Sequence, residues 1–280
     1  MTTFGDTPLS RVGIIGCGYV GLALARELRQ RGVSVTGTTR GSTAPASFQE
    51  VGIQHACVVL PNATGLEAAL HGCDTILFCP GPGRGADYDA VFHQGAQQIC
   101  EAIDGNVCRQ IVFLSSTRVY GQNAGEAVDE SSDTSLADSN GQAIVRAENV
   151  LLSCPRLKCN VLRLGGIHGP GRRLIDRIQA ASGQTRTDGH VLVNLVHLDD
   201  IVAAILLSFS HGDSGIFNIV DHQVEPRREL YDRILAAAAL PPVHWKNESP
   251  AYCAGTLIGK RVSSRKATDE LGWTPRGKRD

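Results

Sequence analysis

Several features that mark whole classes of protein are missing from this sequence. The formal net charge of its 280 residues is −1, so no basic field points to a nucleic acid or an anionic membrane. The longest apolar run, residues 201–207, is far too short to span a membrane, and the first residues lack a secretory-signal pattern. These absences predict a soluble, cytoplasmic protein with no nucleic-acid or membrane partner.

The cysteines show no pattern of metal binding. There are nine, none forms a Cys-x-x-Cys pair, and no spacing is typical of a zinc site. Most lie in apolar runs, as Cys57 and Cys79 do. We therefore expect small, buried hydrophobic side chains in a reducing compartment, and we expect no metal site.

Short apolar runs alternate with helical patterns over the first 165 residues, which is typical of βαβ units. This alternation predicts an α/β protein with a Rossmann-type doubly wound parallel sheet. Strands are predicted at residues 12–15, 33–38, 57–60, 75–78, 110–114 and 160–164, and helices at 20–31, 66–70, 90–103 and 143–152.

Beyond Gly166 the pattern loosens. Residues 192–195 and 216–219 are predicted to return to the sheet, on either side of a helix at 199–210. We expect a dinucleotide-binding domain made of residues 1–166 and about 197–221. A smaller, discontinuous substrate-binding domain would then comprise residues about 167–196 and 222–280.

A glycine-rich turn follows the first predicted strand and opens the first predicted helix. In such a turn the first glycine makes the bend, the second lets a pyrophosphate approach, and the third lets helix and strand pack closely. The free N–H groups of the helix N-terminus then bind the phosphates. The turn, with the residues predicted to bind the cofactor, is Gly16-Cys17-Gly18-Tyr19-Val20-Gly21.

The end of the second predicted strand indicates which dinucleotide is bound. An NAD site is expected to place Asp or Glu there, but this chain has no acidic residue between Glu27 and Glu50. It has Thr38, Thr39 and Arg40 instead, and a guanidinium suits a 2′-phosphate. We therefore predict NADP as cofactor in preference to NAD, the alternative being that Arg40 is only a solvated loop residue.

Five segments, in order along nearly the whole chain, resemble the extended short-chain dehydrogenase/reductase family of nucleotide-sugar epimerases and dehydratases. The Gly-x-Gly-x-x-Gly spacing is that of atypical members. After the glycine-rich turn, the segments are Ser115-Ser116-Thr-Arg-Val-Tyr120-Gly, Arg163-Leu-Gly165-Gly166-Ile-His168-Gly-Pro-Gly, Val196-His197-Leu-Asp199-Asp200, Gly215-Ile-Phe-Asn218 and Leu271-Gly-Trp273.

The resemblance implies roles for residues in these segments. Ser116 would hydrogen-bond the reacting oxygen, and Arg172 or Arg173 would bind a phosphate of a small-molecule substrate. Asp199 is expected to cap the helix that follows it. Family members often dimerise through helices on the sheet, which implies a homodimer here. Besides the glycine-rich turn and Thr38–Arg40, the residues expected along the cofactor are Cys79, Pro80, Gly81, Ser115, Gly165, Gly166 and His168.

One departure from the family concerns the catalytic step. The family uses a Tyr-x-x-x-Lys pair, in which the tyrosine moves the proton and the lysine lowers its pKa. This chain contains no such pair, and alignment on Ala147-Glu148 places Asn140 and Ile144 at the two positions. Tyr120 is the nearest substitute phenol, and His168 or the substrate itself are alternatives.

Two functional hypotheses remain open. The chain could be an NADP-dependent oxidoreductase or epimerase that has replaced the usual acid, acting on a nucleotide sugar or another carbonyl or hydroxyl compound. It could instead be a non-catalytic sensor or regulator that kept only the nucleotide pocket. A Rossmann enzyme of the β-hydroxyacid dehydrogenase type is disfavoured, because it would need a long all-helical C-terminal domain, and Gly215–Ile219 is strand-like.

Overall fold

The computed structural model describes residues 3–4, 7–62, 64–83, 85–103, 107–155, 157–246 and 258–277. Cys253, one of the nine cysteines considered above, lies outside these ranges. In the described part, no helix is long and apolar enough to cross a membrane. No group of three or more His, Cys, Asp or Glu side chains there could hold a metal ion.

Seven strands form the central sheet: β1 (Arg11–Ile15), β2 (Ser34–Thr39), β3 (Gln54–Cys57), β4 (Thr75–Phe78), β5 (Gln110–Ser116), β6 (Lys158–Leu164) and β7 (Gly215–Ile219). Their order in the sheet is β3-β2-β1-β4-β5-β6-β7. The pairs β1–β2, β1–β4, β2–β3 and β4–β5 are parallel. The Rossmann-type fold is therefore confirmed.

Helices connect the strands and continue into the C-terminal region. They are α1 (Tyr19–Gln30), α2 (Ala46–Val51), α3 (Leu66–Leu70), α4 (Gly95–Ala102, continuing a π-helical turn over Asp89–Gln94), α5 (Ser139–Leu152), α6 (Leu174–Ile178), α7 (Leu198–Ser210), α8 (Arg227–Ala237) and α9 (Arg265–Leu271). Helix α1 ends one residue before the predicted 31, and Gly32 beyond it adopts a φ of 79° that a residue with a side chain rarely takes.

The third strand lies earlier than the predicted 57–60. Strand β3 pairs with β2, with Gln54 opposite Thr36 and Cys57 opposite Thr39. Because β3 is at the edge of the sheet, it ends where β2 ends. Cys57 is therefore exposed at the edge of the sheet, against the expectation that the cysteines are buried. Cys17, Cys73, Cys108 and Cys159 are buried, as expected.

Residues 192–195 do not return to the central sheet, so that prediction is wrong. Leu192–Val193 pairs with Glu225–Pro226, and Leu195–His197 pairs with Gly166–His168. The second pairing depends on small residues, because a Cβ on Gly165 would lie 2.8 Å from the carbonyl oxygen of Asn194. These short strands thus pair with other short strands and not with the central sheet.

The chain forms two compact units. The core of the first contains the stacked rings of Phe78 and Phe113, with centroids 5.2 Å apart. A cluster that includes Leu174, Leu195 and Leu235 forms a core in the second. The first unit comprises Met1–Val119, Ala137–Arg163 and Val202–Phe217, and the second comprises Tyr120–Leu136, Leu164–Ile201 and Asn218–Asp280. The assignment of cofactor and substrate to separate units stays a prediction.

Candidate functional site

The first glycine of the turn is required by its backbone. Gly16 has a φ of 82°, and a Cβ there would lie 2.7 Å from the carbonyl oxygen of Cys79. Its N–H donates to Oγ1 of Thr38 at 3.0 Å, which fixes the turn against the end of β2. Only glycine fits this position without moving backbone.

The other two glycines differ in the space around them. A Cβ on Gly21 would lie 2.9 Å from Cγ2 of Ile14, so Gly21 lets α1 pack closely on β1. A Cβ on Gly18 would meet nothing closer than the carbonyl oxygen of Gly16, at 3.9 Å. The protein itself therefore does not require glycine at position 18, and the free space suits the approach of a ligand.

The start of α1 is suited to an anion. Gly18, the residue before the helix, has no side chain that could cap it, and the backbone N–H groups of a helix N-terminus are suited to binding a phosphate. Beneath the turn, burial raises the pKa of the Cys17 thiol to about 12 and that of Cys79 well above its usual range. These thiols stay protonated and bring no negative charge to the site. Tyr19 is half-buried and Val20 is buried on the helix.

The end of β2 carries the side chains expected at the ribose. Thr39 Oγ1 donates to the carbonyl oxygen of Gly41 at 3.2 Å and lies 2.8 Å from Nε2 of His55. Arg40 is exposed and forms no ion pair with any described residue. Its Nη1 would lie 3.4 Å from a Cβ on Gly83, so the guanidinium extends over the loop that follows β4.

The turn, the end of β2 and the loop after β4 enclose a cavity of about 220 Å³. Its polar residues suit the phosphates and ribose of a dinucleotide, and its apolar residues suit an adenine ring. The lining residues are Ile15, Gly16, Cys17, Gly18, Thr38, Thr39, Arg40, Val58, Leu60, Pro80, Gly81, Pro82 and Val91. Most of the residues predicted in the first unit thus meet at one cavity.

Ser115 is hydrogen-bonded within a buried cluster of charged side chains. Its Oγ donates to Oε1 of Glu148 at 2.5 Å. The same carboxylate accepts from Nε of Arg163 at 3.0 Å and from its Nη2 at 2.6 Å. The predicted contact of Ser115 with a cofactor stays a prediction, and this geometry gives its hydroxyl a structural partner.

The backbone of Arg118, a residue that the sequence analysis did not single out, contacts the hydroxyl of Ser116. The backbone N–H of Arg118 donates to Ser116 Oγ at 3.2 Å. The guanidinium of Arg118 donates to the carboxylate of Asp138, which raises the pKa of Arg118, and lies 5.9 Å from the centre of the Tyr88 ring. In the sequence, the position of Arg118 two residues after Ser116 was the one sign of this contact. Its side-chain partners, Asp138 and Tyr88, are distant in sequence and gave no sign.

Tyr120 lies in the second unit in a structural environment. It is 1% exposed, and its hydroxyl donates to Oδ1 of Asn218 at 2.8 Å. The ammonium group of Lys260 donates to the Tyr120 carbonyl and lies 6.0 Å from the ring centre. A catalytic role for Tyr120 stays a prediction, and it would require the hydroxyl to exchange Asn218 for a substrate.

The remaining predicted residues also lie in the second unit. Gly165 and Gly166 allow close approach of residues 194–195. His168 is fully buried, and its ring meets that of His197 edge to face at 5.2 Å. Arg172 and Arg173 are exposed, and Arg173 forms an ion pair with Asp176 at 2.7 Å.

The cap of α7 differs from the expectation. Nδ1 of His197 accepts the N–H of Asp199 at 3.2 Å, so His197 rather than Asp199 caps the helix. The prediction for Asp199 is wrong because the helix begins one residue earlier, at Leu198.

The comparisons with known proteins decide the family. The model of the NAD dependent epimerase/dehydratase family matches residues 12–220. The chain belongs to this family. The resemblance drawn from the sequence motifs is thereby confirmed.

Three relatives illustrate how far the similarity extends. Protein YeeZ of Escherichia coli (strain K12) is 28% identical over 275 residues, which cover 95% of each chain. The decarboxylating sterol-4-alpha-carboxylate 3-dehydrogenase of Dictyostelium discoideum is 24% identical over 247 residues, covering 78% of this chain and 73% of that protein. The Bordetella bronchiseptica enzyme WbmG in complex with NAD has a TM-score of 0.80 at 20% identity, covering 98% of this chain and 91% of WbmG. Its likeness concerns the fold.

The chain contains no Tyr-x-x-x-Lys pair, and the alignment made from the sequence places its two positions on α5, at Asn140 and Ile144. Asn140 is the second residue of the helix, two residues after the capping Asp138. Ile144, one turn later, is 2% exposed, so its surroundings suit an apolar side chain rather than an ammonium group. Arg146, the nearest cation on the helix, is paired with Asp89 at 2.6 Å.

Proposed function

We propose that the chain is an NADP(H)-dependent oxidoreductase or epimerase that acts on a nucleotide sugar or another carbonyl or hydroxyl substrate. The observation that carries this proposal is the cavity at the start of α1, where Gly18 leaves room for a pyrophosphate. The residues present fit the dinucleotide. The donors at the helix N-terminus suit its phosphates, and Val58, Leu60 and Val91 suit its adenine.

The preference for NADP(H) rests on the end of β2. Arg40 lines the cavity, has no carboxylate partner among the described residues, and replaces the acidic residue of an NAD site. The family is described as NAD dependent, and WbmG is named in complex with NAD. The choice between the two cofactors is therefore the first measurement to make.

Replacing Arg40 with alanine should weaken NADPH binding by roughly ten- to a hundredfold, because a charge-assisted hydrogen-bond pair to the 2′-phosphate is lost. NADH binding should change by less than about twofold, because NADH has no such phosphate. Calorimetric titration of the purified protein with NADPH and with NADH measures the two affinities. Equal losses for the two cofactors would contradict the assignment of Arg40.

The chemistry proposed for the chain's own residues centres on Ser116. The bound nicotinamide would supply or accept a hydride. Ser116 Oγ would hold the substrate oxygen, and the backbone N–H of Arg118, which donates to that hydroxyl oxygen, would orient it. Tyr120, His168 or the substrate itself would carry the proton. Arg172 and Arg173 would bind a substrate phosphate.

Ser116→Ala should lower kcat by about a hundredfold or more, since a hydrogen bond made to developing charge is lost. NADPH affinity should stay within about twofold of wild type, because the cavity residues are unchanged. Stopped-flow and steady-state oxidation of NADPH with a panel of nucleotide sugars and dicarbonyls measures this. Wild-type rates in the variant would remove Ser116 from the mechanism.

A second candidate function is a non-catalytic sensor of NADP(H). The buried Ile144 and the Asn140 at the position of the family tyrosine favour it. A sensor should bind NADPH and NADP with different affinities and transfer no hydride to any compound of the panel. Reproducible, stoichiometric oxidation of NADPH by one substrate would exclude this function.

We also propose that the protein is a homodimer formed through α4 and α5, and that it works in the cytoplasm without nucleic-acid or membrane partners. Sedimentation equilibrium would measure the mass in solution against the 29.8 kDa of one chain. A single species of that mass would contradict the dimer.

A further inference from the structure

The geometry points to His55 as a positioning residue that acts through Thr39, so that the site binds NADP(H) more tightly when His55 is protonated. This inference rests on the proposed NADP(H) binding and adds a specificity determinant to it. Neither the glycine-rich turn nor the family resemblance indicates His55.

Protonation of His55 fixes the direction of its hydrogen bond to Thr39. Oγ1 of Thr39 lies 3.2 Å from the carbonyl oxygen of Gly41 and 2.8 Å from Nε2 of His55, and its single proton can go to only one of them. A neutral imidazole donates to Oγ1 or accepts from it, depending on the tautomer. The imidazolium can only donate, so it leaves the Thr39 proton for another acceptor.

Packing and strand pairing hold the imidazole of His55 in place. Its ring meets the buried ring of Phe48 on α2 edge to face at 5.7 Å, and β3 pairs in register with β2. Thr39 lines the cavity beside Arg40. A 2′-phosphate at this end of the cavity would replace the Gly41 carbonyl as acceptor of the Thr39 proton.

The consequence is a chain of two hydrogen bonds that ends at a titratable group. His55 donates to Thr39, and Thr39 would donate to the phosphate, so each bond polarises the other in the same direction. Protonation of His55 places a positive charge at the far end of this chain.

In the part of the chain that the structure describes, no charged side chain forms an ion pair with the His55 imidazole. The titratable or charged groups on the surrounding elements are Arg40 after β2, Glu50 on α2, Cys57 on β3 and Glu67 on α3. None of these forms an ion pair or hydrogen bond with the His55 ring in the described part of the chain. A bound dianion would therefore be the group that gains from its protonation.

The test compares NADPH and NADH titrations of wild type and His55→Gln at pH 6.5 and pH 8.0. Glutamine keeps an N–H donor for Thr39 but cannot become charged. In wild type, NADPH affinity should be about three- to fivefold higher at the lower pH than at the higher, which is the strength of a partly exposed charge interaction. In His55→Gln only the pH dependence that comes from the 2′-phosphate itself should remain, and NADH affinity should be flat with pH in both proteins.

Calorimetry in two buffers of different ionisation enthalpy gives a second readout. NADPH binding near neutral pH should take up more protons in wild type than in His55→Gln, and the difference removes the contribution of the 2′-phosphate itself. Thermal unfolding of both proteins checks that the variant is folded. Identical pH dependence and proton uptake in the two proteins would overturn this inference alone, whereas a wild type that does not bind NADPH would overturn the proposed function together with it.

Discussion

Gly18→Ala should abolish tight dinucleotide binding while leaving the fold intact. The new methyl group would meet nothing of the protein closer than 3.9 Å, and Gly18 has a negative φ, of −95°. It does, however, fill the space where the pyrophosphate must approach the N-terminus of α1. Each charge-assisted hydrogen bond lost there is worth about 1.5–3 kcal/mol, so NADPH affinity should fall by roughly a hundredfold or more.

Gly16→Ala and Gly21→Ala are the matched controls. A methyl group on Gly16 would lie 2.7 Å from the Cys79 carbonyl oxygen at a φ of 82°, and one on Gly21 would lie 2.9 Å from Cγ2 of Ile14. Both variants should lose stability, by about 1–3 kcal/mol, along with binding. Thermal unfolding and NADPH titration separate the three cases. Tight NADPH binding by Gly18→Ala would show that the phosphates lie elsewhere.

Glu148→Ala should cost about 3–5 kcal/mol of the free energy of unfolding, the largest stability effect we expect from one substitution. The side chains of Glu148 and Arg163 are only 2% and 4% exposed. Removing the carboxylate leaves the Arg163 guanidinium buried without its counter-charge. It also frees the Ser115 hydroxyl, which donates to Glu148 at 2.5 Å.

Urea unfolding of three variants tests this account. Glu27→Ala removes an ion pair to Arg31 whose side chains are 36% and 31% exposed, and it should cost less than about 1 kcal/mol. The double variant Glu148→Leu with Arg163→Met removes both buried charges and should recover much of the loss. If Glu148→Ala is no more costly than Glu27→Ala, the buried pair does not stabilise the fold as argued.

Residues close together in the chain were predicted well. The glycine-rich turn joins β1 to α1, so its strand, glycines and helix lie within about 20 residues and carry their own conformational signals. Thr38 and Arg40 were singled out because the residues at the end of β2 stand at a known distance after that turn, and they line the same cavity. Their contact with a cofactor stays a prediction. The third strand was misplaced, because its end depends on its pairing with β2 rather than on its own apolar run.

The sequence by itself thus determined the fold class, the family and the glycine-rich turn, since these depend on local patterns of hydrophobicity and glycine. Only the tertiary structure decided which polar groups meet. His55 reaches Thr39 from the neighbouring strand across 16 residues, Arg118 reaches Asp138 across 20, and Ser115 reaches Glu148 across 33. Such pairs leave no periodic signal in the sequence, because the packing of separate elements decides which side chains become partners.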